Sequence, residues 1–358
     1  MMKKLNLAII GQGRSGKDIH GGFAASERNT LYNVRYVVDK DEIMRKKAEE
    51  LYPGCETFAD YRELFGKKDI DLVTNATYSN EHYAVAKDLL NHGFNVLTEK
   101  PFGRNYYECM DLIETAKKNN VLLAVFHNTQ HADFFTDAYK KMKDGFFGKV
   151  EQINLRYNGF ARRWDWQTLQ KKMGGSAYNT GPHPIAMALG FLDFDKDTKV
   201  VFSKLSTDLT SGDAEDYVKI ILTAPNKPVV DIEISSLDAY SDYNLKIQGS
   251  KGTLKSAPQW YKYKHIVDGE NPEQKLVEET LRNDEHMPIY CRENLIIHEE
   301  EGKYENDAFK YGTAKIYEDV YYAITENRPL FITCEQAALV IKVIETAHAE
   351  NPLPVKFI

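Results

Sequence analysis

The chain has 358 residues, about two ordinary domains, and 46 Lys and Arg against 53 Asp and Glu set a formal net charge of −7. At 42% apolar and 28% charged residues, the composition argues against disorder or a collagen-like chain, and the mild acidity is no electrostatic footprint for nucleic acid or an anionic membrane. Cys55, Cys109, Cys291 and Cys334 are widely scattered, with neither metal-ligand spacing nor a disulfide-dense pattern, so a reducing, cytoplasmic compartment and no metal site are expected.

The N-terminus, Met1-Met2-Lys3-Lys4 followed by apolar residues 5–10, has the outline of a secretory leader, but six apolar residues running into glycines are too few for one. Residues 5–10 read instead as a buried strand ending at Gly11, with a helical pattern from about Gly16. A second strand over 34–38 is closed by Asp39, and a helix over 41–52 is stopped by Pro53-Gly54. Strands over 71–75, 94–98 and 121–126 then alternate with helices over 81–91 and 105–118. This spacing predicts a parallel, doubly wound α/β sheet over residues 1–126.

Beyond residue 127 the rhythm changes. Runs over 149–157, 215–222, 229–235 and 243–248 are β-like, the later ones without helix-length spacers, and Gly249-Ser250-Lys251-Gly252 reads as a turn. They predict a second, α+β domain over 127–358 with a large, mainly antiparallel sheet. Helical patterns over 309–326 and 335–349, split by Arg328-Pro329, are expected to pack back near the domain junction. Residues 173–192 carry no charge, four glycines and two prolines. That composition argues against a spanning helix and for the wall of an active site.

Three motifs carry chemistry. Gly11-Gln12-Gly13-Arg14-Ser15-Gly16 is a G-x-G-x-x-G run between a predicted strand and a predicted helix, the context in which it cradles a pyrophosphate. Asp39, closing the second strand, is placed to accept the adenosine ribose hydroxyls and repel a 2′-phosphate, which favours NAD; neighbouring Lys40 leaves room for NADP. Glu99-Lys100-Pro101-Phe102 lies at the carboxyl end of a strand, where open α/β sheets bind ligands. The cluster Gly174 to His183 places Asn179 and His183 four residues apart, on one face if the segment is helical.

With these motifs the chain resembles the Gfo/Idh/MocA oxidoreductases over nearly its whole length. The glycine loop, residues 77–80 with His82, Glu99-Lys100-Pro101, the Asn179/His183 segment, residues 246–253 and the closing Arg328-Pro329 helix pair stand in the family's order. The resemblance implies a Rossmann NAD(P)-binding domain and a substrate-binding and oligomerisation domain. It implies an NAD(P)-dependent dehydrogenase or reductase acting on one CH–OH carbon of a sugar, cyclitol or related polyol, built as a homodimer or homotetramer. It assigns cofactor binding to Gly11, Gln12, Gly13, Arg14, Ser15, Gly16, Asp39, Lys40, Thr77, Asn80, His82, Glu99 and Lys100, and catalysis to Lys100, His183 and Asn179. A cis peptide at Lys100–Pro101 is also implied. The chain departs from the family's usual pattern at Asn179 and at Ala186, both commonly Asp. Losing those carboxylates should leave His183 less favoured as imidazolium and available as a neutral base.

The mechanism expected from this pattern has His183 accepting the hydroxyl proton as hydride leaves, while Lys100 hydrogen-bonds the same oxygen and relays the proton. Arg163, Trp164 and Trp166 are candidate substrate contacts, with two solvated arginines in a tryptophan-packed loop as the plainer alternative. Tyr157, Asn128 and Gln130 are weaker candidates, and the segment 261–300 reads equally as a lid, a substrate loop or a subunit contact. Two alternatives stand beside the dehydrogenase: a glycosidase or lyase that uses NAD transiently, and a non-catalytic sensor of NAD(P) or sugar.

Overall fold

The computed structural model describes residues 3–357, so Met1 and Met2 of the basic N-terminal run lie outside the described residues. Six parallel strands, β1 (Leu5–Ile10), β2 (Tyr32–Val38), β3 (Glu56–Phe58), β4 (Leu72–Asn75), β5 (Val96–Thr98) and β6 (Leu123–Val125), pair in the order β3-β2-β1-β4-β5-β6. The order reverses between β1 and β4, and the crevice beyond the strand ends there is the switch point at which such sheets bind dinucleotides.

The side-chain alternation of β1 explains why helices cover both faces. Ala8 and Ile10 join a core with Leu89 of α3 (His82–Asn91) and Leu112 of α4 (Tyr106–Asn119). Leu5, Leu7 and Ile9 point the other way, onto Phe23 of the short α1 (Gly21–Ala24) and onto residues from the far end of the chain. Local chemistry sets the helix limits. The Asp41 side chain accepts from Ile43 N to start α2 (Glu42–Leu51), and Asn105 accepts from Glu108 N to start α4. Asn120, at φ 53°, ends α4 in the left-handed region.

After α5 (Asp133–Lys143) come β7 (Val150–Asn158), α6 (Ser176–Asn179), α7 (Pro182–Phe191), β8 (Lys199–Ser206), β9 (Tyr217–Thr223), β10 (Val229–Ser235), β11 (Leu245–Gly249), β12 (Gly252–Ala257), β13 (Trp260–His265) and β14 (His298–Lys303). Their eight-stranded sheet has the order β14-β13-β12-β11-β7-β10-β9-β8; β7 and β10 are parallel and the other neighbours antiparallel. On β9 and β10, Val218, Ile220, Leu222, Val230, Ile232 and Ile234 alternate onto one buried face, beneath the apolar α7.

Two helices close the chain. Ile316, Tyr317, Val320 and Tyr321 of α8 (Thr313–Glu326) pack on Leu5, Leu7, Ile9 and Leu72, so α8 covers one face of the first sheet. The last helix, α9 (Cys334–Glu350), packs against α4, α7 and β8.

Between Asn179 and His183 one helix gives way to the next, with Thr180 and Gly181 still at right-handed helical dihedrals. α6 ends at Asn179 and a new helix begins at Pro182. Pro182 has no N–H to continue the ladder, so its regular pattern is interrupted there, and a Cβ on Gly181 would stand 2.2 Å from the Ala177 carbonyl oxygen, so only glycine fits the join.

Candidate active site

The glycine loop is built by close approach. Gly11 sits at φ +91°, and a Cβ on it would lie 2.4 Å from the Ala76 carbonyl oxygen at the end of β4. A Cβ on Gly16 would lie 1.8 Å from the Gly11 carbonyl oxygen. Gly13 is the opposite case, since nothing stands within 4 Å of its Cβ position. It immediately precedes a π-helical turn, Arg14–His20, so an open volume meets the N–H end of a helix, as an anionic pyrophosphate requires.

The carboxylate of Asp39 is fixed at the end of β2: Oδ2 accepts from Gln12 N at 2.6 Å and Oδ1 from Asp41 N at 2.8 Å, while Lys40 is exposed. At the end of β4, Thr77 Oγ1 donates to Asn75 Oδ1 at 2.8 Å, and the buried Oδ1 of Asn80 has no partner among the described residues. His82 has its ring nitrogens 2.8 Å from the Pro101 carbonyl and 3.2 Å from the Thr77 carbonyl, so it braces two strand-end loops. An open cradle, a fixed carboxylate and an unsatisfied buried oxygen fit a dinucleotide lying across the ends of β1, β2 and β4.

Lys100 follows β5, and its bond to Pro101 is cis. Its Nζ donates to the Asn179 carbonyl at 2.7 Å, joining the first sheet to α6. Burial pushes its pKa down and Arg14 adds to that, while Glu99 opposes them. His183, in the first turn of α7, has Nδ1 3.4 Å from Thr129 Oγ1. Burial, then the charge of Lys100 and the neighbouring His127, hold it well below the ordinary histidine range, hence neutral. Next to the pair the buried Nδ1 of His127 has no partner among the described residues, and Oδ1 of Asn128 and Nε2 of Gln130, in the same turn after β6, lack one too. Such atoms are costly unless something supplies the missing hydrogen bonds.

The Asn179 side chain is oriented from behind. Its Oδ1 accepts from Gln167 Nε2 at 2.9 Å; Gln167 in turn accepts from Arg163, whose Nη2 also pairs with Asp165 at 2.6 Å. Trp166 stands edge-on to Tyr78 at 4.9 Å, whereas Trp164 is 78% exposed. Tyr157 is half-buried with its hydroxyl on Met187 Sδ, and Ala186 lies in the core. Sequence reasoning missed His127, Thr129, Gln167, His20 and Tyr317. For His127 and Thr129 a signal existed, because they follow β6 directly, at the same carboxyl end of the sheet at which Lys100 follows the neighbouring β5.

Histidines buried neutral make the fold acid-sensitive. Burial foremost, then Lys100, lowers His127 to about 4, and burial, then Lys315, lowers His131 to about 4. Their ordinary value is 6.5. Between these values the unfolded chain binds the extra protons, so this stability is complete above pH 6.5 and is lost as the pH falls toward 4. Each histidine adds a slope of about 1.4 kcal/mol per pH unit in that window. His348 works in the opposite sense, because its bond to Glu215 outweighs burial and raises it. Urea denaturation at about pH 7 and about pH 5 is expected to show the loss, and equal midpoints would contradict it.

A family model described as an oxidoreductase family with an NAD-binding Rossmann fold matches residues 5–127, and its C-terminal alpha/beta partner matches 140–350. The 2,7-anhydro-N-acetylneuraminate hydratase of Mediterraneibacter gnavus is 24% identical over 259 residues, 71% of this chain and 67% of that protein. The scyllo-inositol 2-dehydrogenase (NADP(+)) IolW of Bacillus subtilis is 24% identical over 223 residues, 61% of this chain and 59% of that protein. Among solved structures, the 3-ketoreductase KijD10 of Actinomadura kijaniata, in complex with NADP and TDP-benzene, superposes with a TM-score of 0.78 at 16% identity, covering 98% of each chain. Among the described residues no helix is long and apolar enough to cross a membrane.

Proposed function

The chain belongs to the Gfo/Idh/MocA oxidoreductase family, with an NAD-binding Rossmann unit, and on that premise we propose that it moves a hydride between NAD(P) and a carbinol or carbonyl carbon of a sugar, cyclitol or related polyol. The observation that carries this reading is a half-buried lysine bonded to the Asn179 carbonyl, within electrostatic reach of Arg14 in the glycine loop and of His183, which burial and that lysine hold neutral. Gly11, Gln12, Gly13, Arg14, Ser15 and Gly16 hold the pyrophosphate; Asp39 takes the adenosine ribose and favours NAD over NADP. Thr77, Asn80 and Glu99 line the way to the nicotinamide, which when bound supplies the two-electron exchange.

The protein's own part is proton handling and orientation. Neutral His183 accepts the substrate hydroxyl proton in the oxidative direction and returns it in the reductive one. Lys100 donates a hydrogen bond to the same oxygen, and its lowered pKa suits it to pass the proton on. Asn179 orients a second hydroxyl through its amide, with Gln167 and Arg163 behind it. Trp166 offers an aromatic face for a ring; Trp164, being exposed, serves the rim. Residues 1–126 carry the cofactor and 127–358 the substrate and subunit contacts, with α8 given back to the first unit. The exposed Val201 and Phe202 of β8 support a homodimer or homotetramer, and four free cysteines support a cytoplasmic setting.

The test is the absorbance of reduced cofactor, with NAD or NADP and a panel of inositols, aldoses, sugar acids and glycosides. Growth of signal with a polyol is the expected result. Glycoside cleavage with no net reduced cofactor would favour the transient-NAD reading, to which the hydratase relative lends weight. Cofactor binding with no turnover in either direction would favour a sensor.

A further inference from the structure

Beneath the glycine loop lies a buried polar chain that the proton chemistry does not use. His20 ends the π-helical turn, in which the Gly21 N–H reaches back five residues to Gly16 O. The ring is 0% exposed, with Nε2 3.2 Å from Glu99 Oε1 and Nδ1 3.0 Å from the Tyr317 hydroxyl. That hydroxyl, brought by α8, is also 3.0 Å from Thr74 Oγ1 on β4. Glu99 is 5% exposed; its Oε1 also accepts from Ser15 Oγ, and its Oε2 accepts from the backbone N–H of Lys100 at 3.0 Å.

The chain of contacts is continuous from β4 to the carboxylate. The Tyr317 hydroxyl is shared between Thr74 Oγ1 and His20 Nδ1, and the other ring nitrogen of His20 meets Glu99. Burial by itself would raise the Glu99 pKa, but His20, Lys100 and Ser15 outweigh it and hold the carboxyl at about 2. A buried carboxylate with this many donors is rigid, because removing any one leaves charge uncompensated.

We propose that His20, Glu99 and Tyr317 are positioning residues, a relay by which α8 fixes the glycine loop and Lys100 relative to one another for the cofactor. One carboxylate oxygen holds Ser15 of the loop, the other holds the Lys100 backbone, and Tyr317 holds the histidine that aims the carboxylate. The relay rests on the cofactor site and not on the substrate class, so binding alone tests it.

The experiment measures NAD affinity by titration calorimetry and adenosine affinity by ligand-observed NMR. It uses the full chain, Tyr317→Phe, Ser15→Ala and the double variant. Tyr317→Phe removes one hydroxyl from a ring that still stacks on Phe23 at 4.4 Å. Each single variant is expected to weaken NAD about tenfold, the double no more than the worse single, with adenosine affinity unchanged. Losses that multiply in the double variant, adenosine weakening in parallel, or a folded Tyr317→Phe with wild-type NAD affinity would each overturn the relay. If Tyr317→Phe does not fold, His20→Gln, which keeps a donor, is expected to bind NAD better than His20→Leu, and equal affinities overturn it. Failure of the wild-type protein to bind either NAD or NADP would instead remove the cofactor site on which the relay stands.

Discussion

Lys100→Ala is expected to lower kcat by about 10²–10⁴-fold while leaving NAD(P) affinity nearly unchanged, the range over which a positioned proton-transfer group acts. Lys100 Nζ donates to the Asn179 carbonyl at 2.7 Å. Its site disfavours the charged form through burial and Arg14, with Glu99 holding part of the charge in place. An ammonium so balanced gives and regains a proton at lower cost than a solvated one. The second variant, Lys100→Arg, separates two roles, because guanidinium keeps its charge and cannot give up a proton. If proton relay is the role, Lys100→Arg stays as slow as Lys100→Ala; recovery would show that positive charge alone suffices. Steady-state kinetics at saturating cofactor decide it, and near-normal turnover in Lys100→Ala would remove the residue from the mechanism.

Gly16→Ala and Gly13→Ala are expected to fail in different ways, although the two glycines belong to one motif. At Gly16 the added methyl would meet the Gly11 carbonyl at 1.8 Å, a backbone oxygen that cannot turn aside. The loop must shift, at a cost of about 1–3 kcal/mol or more in stability before any ligand is considered. At Gly13 the methyl meets nothing within 4 Å. The ligand-free protein should therefore melt as the wild type does, yet bind NAD(P) at least about tenfold more weakly, because the methyl occupies volume the pyrophosphate must enter. Thermal melts with and without cofactor check both. A Gly13→Ala protein with normal affinity would move the pyrophosphate elsewhere.

The first sheet was legible because its strands are buried on both faces, which writes them as short apolar runs between turn residues. The edge strand β3 was not, since Glu56–Phe58 is only partly buried and carries no such run. Strands β12 to β14 were hidden for a related reason. Lys255, Lys262 and Lys264 sit on their open side, and pairs such as Lys264 with Glu299 read in one dimension as scattered charge. That pairing also resolves part of the segment 261–300 into β13 and β14, with an exposed stretch between them. Helix α7 is apolar around its whole circumference because it is buried all round, so it lacked the periodic stripe by which surface helices are found. At the site, motif spacing pointed to Lys100, Asn179 and His183. Partners joined by the fold alone, such as Tyr317 with His20 or Gln167 with Asn179, leave no local mark.

The docking of α8 on β1 bears on how the protein is made. Leu5, Leu7 and Ile9 leave the ribosome long before Ile316, Tyr317, Val320 and Tyr321, which cover them. Until then the nascent first sheet has one greasy flank open to water, a surface suited to holding by a chaperone or to clumping with its neighbours on a polysome. An isolated fragment ending near residue 127 would keep that flank bare, so gluing, not instability of the strands themselves, would limit its yield.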